Sequence, residues 1–93
     1  MLYLIHCFDK EQHLHLRQQI RPEHVDYLKE FGTRIWCAGP TLDNAGEMNG
    51  SMIIFECETR AEAEYFAAND PYAKGGLFRE VQIQEWKKVL PQD

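Results

Sequence analysis

The chain has 93 residues and a mass of 10.9 kDa, which leaves room for one domain spanning residues 1–93. Its 44% hydrophobic and 12% aromatic content is ordinary for a folding chain, so wholesale disorder is excluded. Fifteen acidic residues against ten basic ones give a formal charge of −5, which argues against a phosphate-tracking nucleic-acid binder and a polybasic membrane surface.

The opening run 2–8 alternates Leu2, Leu4, His6 and Phe8 with Tyr3, Ile5 and Cys7. Both sets are largely apolar, the pattern of a central strand covered on two faces. Asp9 and Lys10 end the run, far short of the roughly 20 apolar residues of a membrane helix and too short for a signal-peptide core. Residues 9–20 are polar with a few leucines and suggest only a ragged helical turn. Arg21-Pro22 then opens the first firm helix, because proline suits the first helical position. His24, Tyr27, Leu28 and Phe31 fall on one stripe of that helix, and Gly32 supplies its stop.

A short second strand at 34–38 ends at Gly39-Pro40, and residues 40–50, rich in turn formers, read as one long loop. Residues 51–57 form a third strand. Thr59 and Glu62 make a capping box that starts a helix through Ala63, Phe66 and Ala67. Asp70-Pro71 breaks it, residues 72–77 hold one more turn, and a last strand lies near 79–86. The order βαββαβ is the ferredoxin-like α+β arrangement, a four-stranded antiparallel sheet with both helices on one face. Its other face is left apolar, so a homodimer packed sheet to sheet is expected.

Two side chains stand out chemically. His24 shares the inward stripe, at the start of the helix as read here, where the positive end of the helix dipole disfavours imidazolium and keeps a neutral ring fit to act as a base. A core histidine satisfied by one backbone carbonyl accounts for the same pattern. Asp70 follows Ala63, Phe66 and Ala67 on the buried stripe of the second helix, and its place before Pro71 is equally that of an N-cap. Both helices cover the same face of the sheet, so the two groups have a route to one general-base unit. Ser51 has a route to the same pocket, although no G-x-S-x-G elbow accompanies it.

His6, His13 and His15 show no metal spacing, and no cofactor motif is present. Cys7, Cys37 and Cys57 cannot pair completely and lack a C-x-x-C spacing, which favours a reduced, cytoplasmic setting. Trp36 and Trp86 read as packing or interface residues.

The opening M-L-Y-x-I strand, Arg21-Pro22-x-His24, Gly39-Pro40, Gly50-Ser51, Asp70-Pro71-Tyr72 and the closing Trp86-Lys87-Lys88-Val89 together resemble the YCII-like (YciI-related) proteins of the dimeric α/β-barrel superfamily. The likeness covers nearly the whole chain. It implies a ferredoxin-like subunit, a homodimer built through the sheets, and a His-Asp active site that falls on His24 and Asp70. Ser51, Gly39, Pro40 and Tyr72 become pocket neighbours on the same ground. Some relatives are dehydrochlorinases of chlorinated ring compounds, and the wider superfamily includes muconolactone isomerases. The expectation is a cofactor-independent lyase or isomerase acting on a small molecule, with the 40–50 loop closing over its pocket. The alternative is a non-catalytic metabolite-binding or accessory dimerisation module in which the pair is a structural hydrogen bond.

Overall fold

Alternation along the first strand sorts its side chains onto two different surfaces. The computed structural model describes residues 1–92; Asp93, the last residue of the expected domain, lies outside them. Four strands, β1 (Leu2–Asp9), β2 (Ile35–Leu42), β3 (Met48–Glu56) and β4 (Phe78–Trp86), pair antiparallel in the order β2-β3-β1-β4. Helices α1 (Leu14–Lys29) and α2 (Arg60–Ala68) and the single turn α3 (Pro71–Lys74) complete the ferredoxin-like α+β fold. Tyr3, Ile5 and Cys7 of β1 face the helices and pack with Ile53 and Phe55 of β3 and with Ala63, Phe66 and Ala67 of α2. Tyr27, Leu28 and Phe31 close that core from α1.

The opposite sheet face carries Leu2, Leu4, His6 and Phe8, all half-buried, and its register sets His6 against Met52 and Leu2 against Trp86. Met52 is 41% exposed and Trp86 38%, so large apolar side chains stand uncovered there. Trp36 is exposed as well, its Nε1 donating to Glu56 Oε1 at 2.8 Å.

The first helix begins earlier than expected. It starts at Leu14 and takes Pro22 into its interior, rather than opening on it. Proline lacks the amide that would bond to the Gln18 carbonyl. Pro22 and Gln18 are both exposed, so water can take that carbonyl, while inward Leu16, Arg17 and Ile20 hold the first turns in place. The expected 40–50 loop is likewise shorter: β2 continues to Leu42, β3 begins at Met48, and only 43–47 form a turn. Asp43 Oδ1 organises that turn by accepting the amides of Ala45 at 2.9 Å and Glu47 at 3.0 Å. Pro40 is tolerated because β2 is an edge strand, where a missing amide need not break a ladder bond.

Thr59 caps α2 as its motif predicts, its Oγ1 accepting the Glu62 amide at 3.2 Å. Asp70 caps α3. Immediately after α3, a Cβ on Gly75 would come within 2.5 Å of Ile20 Cδ1, so glycine there lets the turn settle tightly onto α1. That contact seats the end of α3 against the middle of the first helix.

Candidate active site

Burying a polar side chain is costly unless it is paired, so buried polar groups reveal where a chain has invested. Among the described residues, the buried polar and charged side chains are Asp9, Arg17, His24, Ser51 and Asp70. All of them belong to one cluster on the helix-covered face, linked through the ring of Tyr72.

His24 and Asp70 meet as expected. His24 Nδ1 lies 2.9 Å from Asp70 Oδ1 and 3.0 Å from Oδ2, with the residues 8% and 2% exposed. Asp70 Oδ1 also accepts the Tyr72 amide at 2.9 Å, so capping and pairing are performed by one carboxylate. An ionised carboxylate only accepts, which places the proton of a neutral His24 on Nδ1 and leaves the Nε2 lone pair available. The helix-dipole argument for a neutral His24 fails, however. With α1 starting at Leu14, His24 stands in mid-helix, beyond the first turn to which that field is confined.

Tyr72 stacks on His24 with ring centroids 3.9 Å apart and an interplanar angle of 16°. Arg17 Cζ lies 4.4 Å from the same tyrosine centroid. Arg17 and His24 stand seven residues apart on α1, roughly 10 Å along its axis, and the Tyr72 ring sits between guanidinium and imidazole. Asp9 grips Arg17 from below, taking Nε on Oδ2 at 2.7 Å and Nη2 on Oδ1 at 3.0 Å. Burial works against the guanidinium's charge, but the Asp9 bonds overcome it and raise the Arg17 pKa. Ser51 Oγ accepts from Arg17 Nη2 at 2.8 Å. Ser51 therefore reaches the cluster through Arg17 and makes no bond to His24.

The remaining sequence-derived neighbours lie further out. Gly39 and Pro40 are exposed on β2, across from Met52 and Ser51 respectively. Cys7 points into the core beside the cluster; burial, reinforced by the Asp70 charge, pushes its thiol up to about 12. Burial also raises the Tyr72 pKa, opposed by Arg17 and Arg21. The Tyr72 hydroxyl is buried and has no hydrogen-bond partner among the described residues.

A cleft of about 800 Å³ opens at the end of the sheet, with Phe8, His13, Thr41, Asn49 and Arg79 among its lining residues. Asp9 is the one buried residue in that lining, so the cleft meets the cluster at Asp9. His24 and Asp70 do not line it. Among the described residues no group of three or more His, Cys, Asp and Glu side chains is placed to hold a metal ion.

Sequence reasoning missed Asp9 and Arg17, since a charged residue in a polar stretch reads as solvated. Two periodicities nevertheless pointed to them. Asp9 continues the inward set Tyr3, Ile5, Cys7 at a spacing of two, and Arg17 precedes His24 by two helical turns on the same stripe.

Comparison with known proteins gives consistent matches over nearly the whole chain. A model of the YCII-related domain matches residues 1–87. The chain is 34% identical to Protein YciI of Escherichia coli O6:H1, covering 97% of this chain and 100% of that one. It is 32% identical to an uncharacterized protein of Haemophilus influenzae, at the same coverage. Among solved structures it resembles the 5-chloro-2-hydroxyhydroquinone dehydrochlorinase TftG of Burkholderia phenoliruptrix AC1100, in complex with 2,5-dihydroxybenzoquinone. That match has a TM-score of 0.88 and 34% identity over 96% of each chain. An antibiotic biosynthesis monooxygenase matches at a TM-score of 0.58 and 16% identity over 96% of this chain and 99% of that one, a likeness of fold alone.

Proposed function

The chain belongs to the YCII-related family, and on that premise we propose that it is a cofactor-independent small-molecule enzyme of the lyase or isomerase kind. The observation that carries this reading is the His24–Asp70 pair. Its carboxylate engages Nδ1 through both oxygens and leaves Nε2 as a base. Nε2 takes a proton from a hydroxyl or carbon of the substrate. Asp70 stabilises the imidazolium that forms and keeps the ring in one tautomer. The proton then returns elsewhere on the substrate, giving isomerisation; in an elimination the electron pair left behind forms a new π bond as the C–Cl bond breaks, chloride leaves as the anion and Nε2 gives its proton to solvent.

The substrate class follows from the relative. TftG is a dehydrochlorinase of a chlorinated hydroxyhydroquinone, at an identity high enough to make small oxygenated rings the first compounds to test. Incubation with chlorinated hydroxyhydroquinones and with small lactones, followed by chloride release and ring absorbance, tests the proposal. Turnover abolished by His24→Gln supports it; turnover undiminished by that change refutes it.

A second reading rests on one specific observation: the pair is enclosed, and the cleft of about 800 Å³ is lined by neither member. On that reading the pair is a structural hydrogen bond in a metabolite-binding or accessory dimerisation module. Binding of a ring compound with no chemical change, unaffected by His24→Gln, distinguishes it.

In both readings the working form is a homodimer associated through the uncovered face around Met52, Trp36 and Trp86. Cys7, Cys37 and Cys57 are free thiols, compatible with a reducing, cytoplasmic setting.

A further inference from the structure

A histidine that serves as a base needs its ring plane fixed, and one hydrogen bond leaves a rotation about that bond. His24 receives its second constraint from Tyr72, stacked nearly parallel at 3.9 Å. Tyr72 would itself be free to tilt away if its far face met only a flexible aliphatic chain. Instead that face meets a planar guanidinium whose own orientation is over-determined. Arg17 is gripped by both oxygens of Asp9, at 2.7 and 3.0 Å, and donates to Ser51 at 2.8 Å. Arg17 is 2% exposed and Tyr72 fully enclosed, so solvent does not compete for these contacts.

We propose that Arg17 is the positioning residue of the site: clamped by Asp9 and Ser51, its guanidinium presses the Tyr72 ring onto the His24 imidazole and fixes the plane in which Nδ1 donates to Asp70. This deepens the acid–base reading of His24 and rests on it for its functional meaning, although the structural claim stands on the stack alone. It also gives Asp9 and Ser51 a task. They orient Arg17, and neither needs to touch the substrate.

Arg17→Lys separates positioning from mere charge balance. Lysine keeps a cation beside Asp9, so no buried carboxylate is left unpaired, but it has neither the planar face nor the bidentate fork. The test uses the whole protein without ligand and reads the His24 Nδ1–H proton by NMR. The expected result for Arg17→Lys is a cooperatively folded protein in which that proton exchanges at least about ten-fold faster and the imidazole 15N signals report mixed tautomers. Tyr72→Leu leaves the Asp9–Arg17–Ser51 contacts and the backbone cap intact and removes only the intervening ring. It is expected to loosen His24 in the same way, and it supplies the reading if Arg17→Lys does not fold. A folded Arg17→Lys protein with unchanged Nδ1–H exchange and a single tautomer overturns the proposal, as does a Tyr72→Leu protein with His24 still locked. No turnover is needed for this measurement. A locked His24 in a protein that turns over nothing counts against the enzyme reading and leaves the positioning role in place.

Discussion

Asp70 Oδ1 stands 2.9 Å from His24 Nδ1 and 2.9 Å from the Tyr72 amide, so one oxygen atom ties the middle of the first helix to the start of the third. Asparagine caps helices as well as aspartate does. Asp70→Asn is therefore expected to change stability by less than about 1 kcal/mol in urea unfolding. The amide can donate as well as accept, so the His24 ring should show both neutral tautomers by 15N NMR. Turnover of a substrate should fall by about 100-fold or more. Full activity with a single tautomer would end the acid–base assignment.

Tyr72 has a buried hydroxyl without a hydrogen-bond partner among the described residues, whereas its ring is in use on both faces. Tyr72→Phe keeps the ring and removes the unsatisfied group. The folded protein should gain about 1 kcal/mol, read as a higher urea midpoint at unchanged slope. A loss of stability would show that the hydroxyl has a bonded partner in solution.

Alkaline stability follows from the buried thiols and phenols, above all from Cys7 and Tyr27. Burial holds the Cys7 thiol up at about 12 against 9.0 for a free thiol, and burial, with Asp70 second, holds the Tyr27 phenol at about 12 against 10.0. Below about pH 7.5 both are protonated folded or unfolded, and they contribute no pH dependence. Above pH 9 the unfolded chain loses these protons first, so it binds fewer, and stability must fall as pH rises towards 12. Urea midpoints measured between pH 8 and 11 should decline, and Cys7→Ala should reduce the part that sets in near pH 9, leaving the share of Cys57, whose thiol burial also pushes up. A flat profile in the parent protein would contradict the buried placement of Cys7.

The apolar sheet face gives a prediction about assembly. A dimer at micromolar concentration is expected, with roughly 1,600 Å² buried in total. Met52→Lys puts a charge among the uncovered apolar side chains and should shift light scattering towards the mass of one chain. A parent protein that scatters as a stable monomer defeats the prediction.

Most of the fold was legible because its signals are local. Alternation announced β1, the Thr59 and Glu62 box announced α2, and Asp70-Pro71 announced α3. The start of α1 was not, because the preference of proline for a first turn was set against Leu16, Arg17 and Ile20, whose inward placement only the packed sheet and α3 reveal. The hairpin was hidden for a similar reason. Gly39, Pro40 and Gly50 are turn residues by composition, yet an edge strand accepts Pro40, and Gly50 is closely approached by the Cys7 carbonyl and the Thr41 hydroxyl. The pair His24 and Asp70 could be named from stripe positions alone. Arg17 and Asp9 could not be weighed, since a buried ion pair is recognisable only when both partners are located.

Pro40 has a consequence for what can be added to the sheet. β2 is a free border of the sheet, and such a border is a template on which a foreign strand can grow. A strand seeking to extend the ladder there finds a ring at Pro40 where it needs an amide donor, and the extension stalls. With that border blunted, growth of a foreign strand on β2 is disfavoured by a single residue.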